Sequence, residues 1–157
     1  MGGRELVEHY QYLQAYFDEA SNDVTDPFRP HILQSAQLAD VLQRKVDLTL
    51  HLRQAYLLDD HKKLQELANE TIPELIEALE DYKAFTLALW YMYNKPFGSE
   101  VIDLRIGGQI ARLSTARDRI SGYLLGNYTS IPELEADRLS IDGRDDASLA
   151  LHPYTAY

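Results

Sequence analysis

Five histidines stand at positions 9, 31, 51, 61 and 152, and no two of them share a metal-ligand spacing. The Glu-x-x-His pairs of a di-iron bundle are absent, and so is the His-Glu-x-x-His of a zinc protease. Asp47 and His51 lie four apart, which on a helix gives an ordinary surface ion pair. Adjacent acids occur as Asp18-Glu19, Asp59-Asp60, Glu80-Asp81 and Asp145-Asp146. Glycoside hydrolysis needs two carboxyls flanking a sugar in a shaped, partly dry cleft. Asp18, Glu19, Glu80 and Asp81 fall instead on the polar sides of amphipathic helices, where a solvated carboxylate is expected.

Gly107-Gly108 lacks the lysine and the spacing of a phosphate-binding loop. Two glycines inside a helix cost about 2 kcal/mol against two alanines, so something must offset them. Either another helix of this chain comes close, or a separate domain or ligand does. The preceding residues bear on that choice. Glu100, Asp103 and Arg105 crowd charge into the first turns of a helix, beside Asn94, Lys95 and the aromatics Trp90, Tyr91 and Phe97. Aromatics and arginine with acid partners are typical of interface centres. The competing reading is a capped helix start laid over a core aromatic. Asp103 and Arg105 are two apart and splay to different sides of a helix, so at least one is expected to look for a partner elsewhere.

The elements that hold these residues read as helices. Leu, Ala, Glu, Gln and Arg dominate, and no β-branched alternation suggests a strand. A first helix is expected over Arg4–Ala20, with Leu6, Tyr10, Leu13 and Phe17 on one face; Pro27 and Pro30 punctuate the loop after it. A second is expected over Ile32–Leu58, and a short third segment over His61–Asn69 with Asp59-Asp60 as its cap region. Thr71-Ile72-Pro73-Glu74 reads as a helix start. From it Ile72, Leu75, Ile76, Leu79, Tyr82, Phe85 and Leu89 form a stripe up to about Tyr93, where Asn94–Gly98 breaks the pattern. Ser99 is the expected N-cap of a last long helix to about Leu125, lined by Ile102, Ile106, Ile110, Leu113, Ile120 and Leu124 and stopped by Gly126-Asn127. Ser130–Glu133 can start one short turn. Four apolar faces are buried most economically in an all-α, antiparallel bundle of four long helices with a short C-terminal helix or tail. The bundle domain is assigned to residues 1–139, and 140–157 to a loosely ordered acidic tail; the last 28 residues hold six acids and two bases.

Composition excludes several function classes. The 157 residues carry a net charge of −10, so nucleic-acid binding and anionic membrane surfaces are disfavoured. No apolar run approaches the roughly 20 residues of a membrane span. The polar start MGGRELVEHYQYL does not resemble a signal peptide. The absence of cysteine removes thiolate catalysis and Cys-based metal sites, and favours a reducing, cytoplasmic setting. No cofactor and no metal are expected.

Residues 94–108, Asn-Lys-Pro-Phe-Gly-Ser-Glu-Val-Ile-Asp-Leu-Arg-Ile-Gly-Gly, resemble a segment in the C-terminal helical domain of bacterial β-N-acetylhexosaminidases of glycoside hydrolase family 20. Lys45–Leu48, Leu52–Tyr56, Ile72–Leu75 with Trp90, and Ala111–Leu113 extend the resemblance over residues 4 to 139. In that family the substrate's own acetamido group is the nucleophile, and an adjacent Asp-Glu pair on a barrel strand orients it and moves the proton. The His-x-Gly-x-Asp-Glu pattern around that pair is absent here, and Asp18-Glu19, preceded by Gln14–Phe17, does not match it. The resemblance therefore implies an accessory domain without catalytic residues. Its partners would be the catalytic barrel of the same polypeptide, or a second copy in a homodimer. Contact would run through Trp90, Asn94, Lys95, Phe97, Glu100, Asp103, Arg105, Gly107 and Gly108. The alternative is a free-standing helical protein–protein interaction module.

Overall fold

The computed structural model describes residues 3–136 and two short backbone segments beyond them. The chain is all-α, as expected. The helices are α1 (Gly3–Ala20), α2 (Arg29–Lys45), α3 (Leu48–Leu57), α4 (His61–Glu66), α5 (Ile72–Tyr93), α6 (Ser99–Leu124) and α7 (Pro132–Glu135). The only strand pairing among the described residues is two residues long, Leu139–Ser140 antiparallel to Ala150–Leu151. Residues 141–149 and 152–157 of the expected tail lie outside the described residues.

Two expectations about helix ends need correction. The helix expected over 32–58 begins three residues earlier and is two helices, α2 and α3, parted by a turn at Val46-Asp47. Aspartate favours helix ends over interiors, and Asp47 sits directly before α3. No ion pair links it to His51. Thr71 does not cap a new helix either. A single π turn, Leu67–Thr71, joins α4 to α5 without a break, and the Ile72 N–H donates to the Leu67 carbonyl. An interior proline lacks a donor and strikes the carbonyl four residues back. The widened turn shifts the ladder out of the four-residue register where the Pro73 ring would meet Asn69.

Two compact units emerge. The first comprises Met1–Asp47 and Glu74–Ile110. Here α1 packs along α2, and Ala36, Ala39, Val41, Leu75, Leu79 and Leu89 are buried. Polar ties reinforce this unit. Gln43 Nε2 donates to Gln14 Oε1 (2.6 Å), Gln34 Nε2 to Thr86 Oγ1 (3.0 Å), and Lys45 Nζ to Gln109 Oε1 (2.6 Å). Burial around Lys45 holds its pKa below the usual lysine range.

The second unit comprises Leu48–Pro73 and the chain from Ala111 onward. Leu48, Leu52, Leu64, Leu67, Ile72, Ile120, Ile131 and Leu134 are buried in it. Two helix ends share one device. Asp59 (φ +54°) ends α3, with the Asp60 N–H on the Ala55 carbonyl; Gly126 (φ +76°) ends α6, with the Asn127 N–H on the Gly122 carbonyl. As expected, Asp60 caps α4, its carboxylate accepting from the Lys63 N–H at 2.9 Å.

The Tyr56 hydroxyl donates to Glu135 Oε1 (2.6 Å) and accepts from the Ile131 N–H (3.0 Å), tying α3 to the α7 segment. Burial, and then Glu135, raise the Tyr56 pKa; burial, and then Asp59, raise that of Tyr123. Both phenols keep their protons to higher pH in the fold than in the unfolded chain. Their contribution is complete below pH about 10 and is lost as pH rises through the folded values. Tyr56→Phe is expected to cost about 1–3 kcal/mol at neutral pH, because the buried Ile131 N–H loses its acceptor. Urea titrations between pH 7 and pH 11 check this: stability of the native chain falls at the alkaline end, and less steeply in the variant.

Candidate interaction surface

Residues 94–98 form a loop held from several sides. The Asn94 N–H closes the end of α5 on the Trp90 carbonyl at 2.8 Å, and Trp90 Nε1 donates to the Lys95 carbonyl at 2.8 Å. Gly98 has φ +102° and lies against the indole; a Cβ there would stand 2.7 Å from Trp90 Cζ2. Ser99 is the first residue of α6 rather than its N-cap. Its hydroxyl donates to the Pro96 carbonyl (2.8 Å) and accepts from the Tyr91 hydroxyl (3.1 Å). The Glu100 carboxylate accepts from the free Gly98 N–H at 2.8 Å, where an acid also suits the helix dipole. This tied loop carries Phe97 with 87% of its surface exposed.

The expected surface residues divide into two groups. Trp90 is half-buried and anchors the loop, and Glu100 spends a carboxylate oxygen on its cap. Asp103 pairs with Lys83 Nζ on α5 at 2.9 Å, so it finds a partner within the chain. Asn94, Lys95, Phe97 and Arg105 are exposed, and Arg105 makes no ion pair among the described residues. Gly107 has only the tip of Lys83 near its missing Cβ, at 3.8 Å, and Gly108 faces open space. Val101 and Leu104, exposed by 45% and 74%, join Phe97 and Gly108 on this outer side. Sequence reasoning passed over both, although the signal was there: 97, 101, 104 and 108 form a second apolar stripe beside that of Ile102, Ile106 and Ile110.

The chain matches the family described as the Glycoside Hydrolase 20C C-terminal domain over residues 1–152. It belongs to that family. The resemblance read from residues 94–108 is thereby borne out at the level of the family. No curated protein matches the chain.

Three carboxylates of this glycoside hydrolase 20C C-terminal domain share one cleft. Asp18, Asp40 and Asp81 line a cleft of about 250 Å³ in the first unit, with Leu33, Ala36, Ala78 and Phe85. Asp18 and Asp81 are solvent-exposed, and Asp40 is taken up by Gln43 and Arg44. In the second unit His61 pairs with Asp59 (2.9 Å) at the surface and meets the Tyr123 ring edge-on. Among the described residues, no group of three or more His, Asp or Glu could hold a metal ion, and no helix is long and apolar enough to cross a membrane.

Proposed function

We propose that this domain is a non-catalytic C-terminal module of a β-N-acetylhexosaminidase, packing on the catalytic barrel or on a second subunit through the 90–108 surface. Gly108 carries the reading. It is exposed within a long helix, and among the described residues nothing beyond its own helical turn lies within 4 Å of the Cβ it lacks. Glycine there sacrifices about 0.5–1 kcal/mol of helix stability with no close approach from the described residues to offset it. A body from outside that approaches the backbone closely supplies the missing reason, and the neighbouring Phe97, Val101 and Leu104 supply apolar contact. The absence of cysteine supports a reducing, cytoplasmic location for that enzyme.

Two measurements test this. The 157-residue chain is expected to leave chromogenic N-acetylglucosaminides unhydrolysed; turnover above a buffer blank, abolished by a point substitution in this chain, would sink the non-catalytic reading. Gly108→Leu is expected to raise the melting temperature of the isolated chain, in line with a gain of about 0.5–1 kcal/mol. The same change should lower the stability or activity of the hexosaminidase that carries the domain. Gly108→Leu with no effect in that enzyme would show that nothing docks closely at this helix.

A further inference from the structure

We infer that the cleft lined by α1, α2 and α5 is a socket for an arginine side chain of the catalytic barrel. The inference rests on the reading of this chain as a hexosaminidase module, and it adds a contact built apart from the 90–108 segment. Each helix gives the cleft one face. Gln14 and Asp18 lie four apart on α1, Ala36 and Asp40 four apart on α2, and Asp81 and Phe85 four apart on α5. Polar ties hold the three helices together, with Gln43 on Gln14 and Gln34 on Thr86. The cleft holds about 250 Å³. Sites for drug-sized ligands hold about 300–1,000 Å³, so this one suits a single side chain.

The lining selects the chemistry of that side chain. Asp40 is already met by Arg44 and Gln43. The Asp18 and Asp81 carboxylates have no ion pair or hydrogen bond among the described residues. Oε1 of Gln37, a residue of the same lining, is buried without a hydrogen-bond partner, and buried acceptors nearly always have one. Three helices thus each bring an acceptor that lacks a donor, beside apolar Leu33 and Phe85. An acidic group would add like charge. An aliphatic side chain would take water from two carboxylates and give nothing back. Among the described residues no group of three or more His, Asp or Glu could hold a metal ion. Lysine brings one compact, strongly hydrated charge, whereas arginine brings five N–H donors in a planar fork with weaker hydration. That fork can reach acceptors on separate helices while its methylene stem lies along apolar side chains. The net charge of −10 draws a basic surface toward the domain in the first place.

Titration of the 157-residue chain with butylguanidinium, read by NMR at the Gln37 side-chain amide, tests the cleft. Saturable shifts are expected, with butylammonium binding more weakly. Asp18→Asn combined with Asp81→Asn should weaken binding about tenfold or more, with far-UV circular dichroism showing the variant folded. The hexosaminidase that carries the domain tests the source of the arginine. The double variant should lower the melting temperature of that enzyme, yet leave the isolated chain melting no lower than wild type, since two unpaired acids are removed. A wild-type chain without saturable shifts overturns the inference, as does a double variant that binds equally well. Binding to the isolated chain beside an unaffected enzyme also overturns it, because the cleft would then serve a free guanidinium compound and not the barrel. Gly108→Leu in the same enzyme keeps the two readings apart. If it is silent while the double variant destabilises, the 90–108 surface is lost and the socket stands; the reverse pattern removes the socket and keeps that surface.

Discussion

Leu79→Ala is expected to cost the fold about 2–5 kcal/mol. Leu79 is 3% exposed, on the side of α5 where Leu75 is fully buried, and the solvent side of the same turns carries Glu77 and Glu80. Burying a leucine side chain contributes about 1.5–3 kcal/mol, and the void left by truncation adds to the loss because close-packed neighbours relax only in part. In a chain of this size that is a large share of a total stability of about 5–15 kcal/mol. Urea denaturation of the two forms at neutral pH measures it through the shift in midpoint at unchanged slope. A loss under about 1 kcal/mol would mean that the packed side of α5 lies elsewhere.

That stripe was legible because it depends only on a period of 3.6 residues and on which side chains avoid water. The same signal placed α1 and α6 to within a residue or so of their observed ends. It also carried α5 to its end at Tyr93. What it missed were register changes inside helices. Thr71-Ile72-Pro73-Glu74 has the composition of a helix start, and composition does not distinguish a start from a π turn that accommodates a proline within a continuing helix. The turn at Val46-Asp47 was hidden likewise, since the residues on both sides of it favour helix. Asp103 hid its pairing for a third reason. Its partner, Lys83, lies twenty positions back on another helix, and only the folded unit brings the two side chains to 2.9 Å. The family resemblance needed none of this geometry. It rested on an unbroken string at 94–108, the segment whose loop and exposed helix face place the candidate surface.

Glycines in this one segment are expected to answer substitution in opposite directions, and the larger effect belongs to Gly98→Ala, at about 2–4 kcal/mol lost. Gly98 sits at φ +102°, beyond the left-handed pocket that other residues visit, which by itself costs of order 1–3 kcal/mol. The new methyl would also stand 2.7 Å and 3.0 Å from two indole carbons of Trp90. Trp90 cannot turn away freely, since its Nε1–H is committed to the Lys95 carbonyl. Relief would have to come from the backbone, and that would pull the Gly98 amide off the Glu100 carboxylate that caps α6. The expected result is a lower melting temperature, with a red shift in the emission of Trp90, the sole tryptophan, as the ring gains water. A Gly98→Ala chain as stable as the wild type, with unchanged emission, would show that the indole and the loop do not hold each other. Phe97 would then stand on a loose segment, and the ordering of that loop would become a cost charged against any partner that binds there.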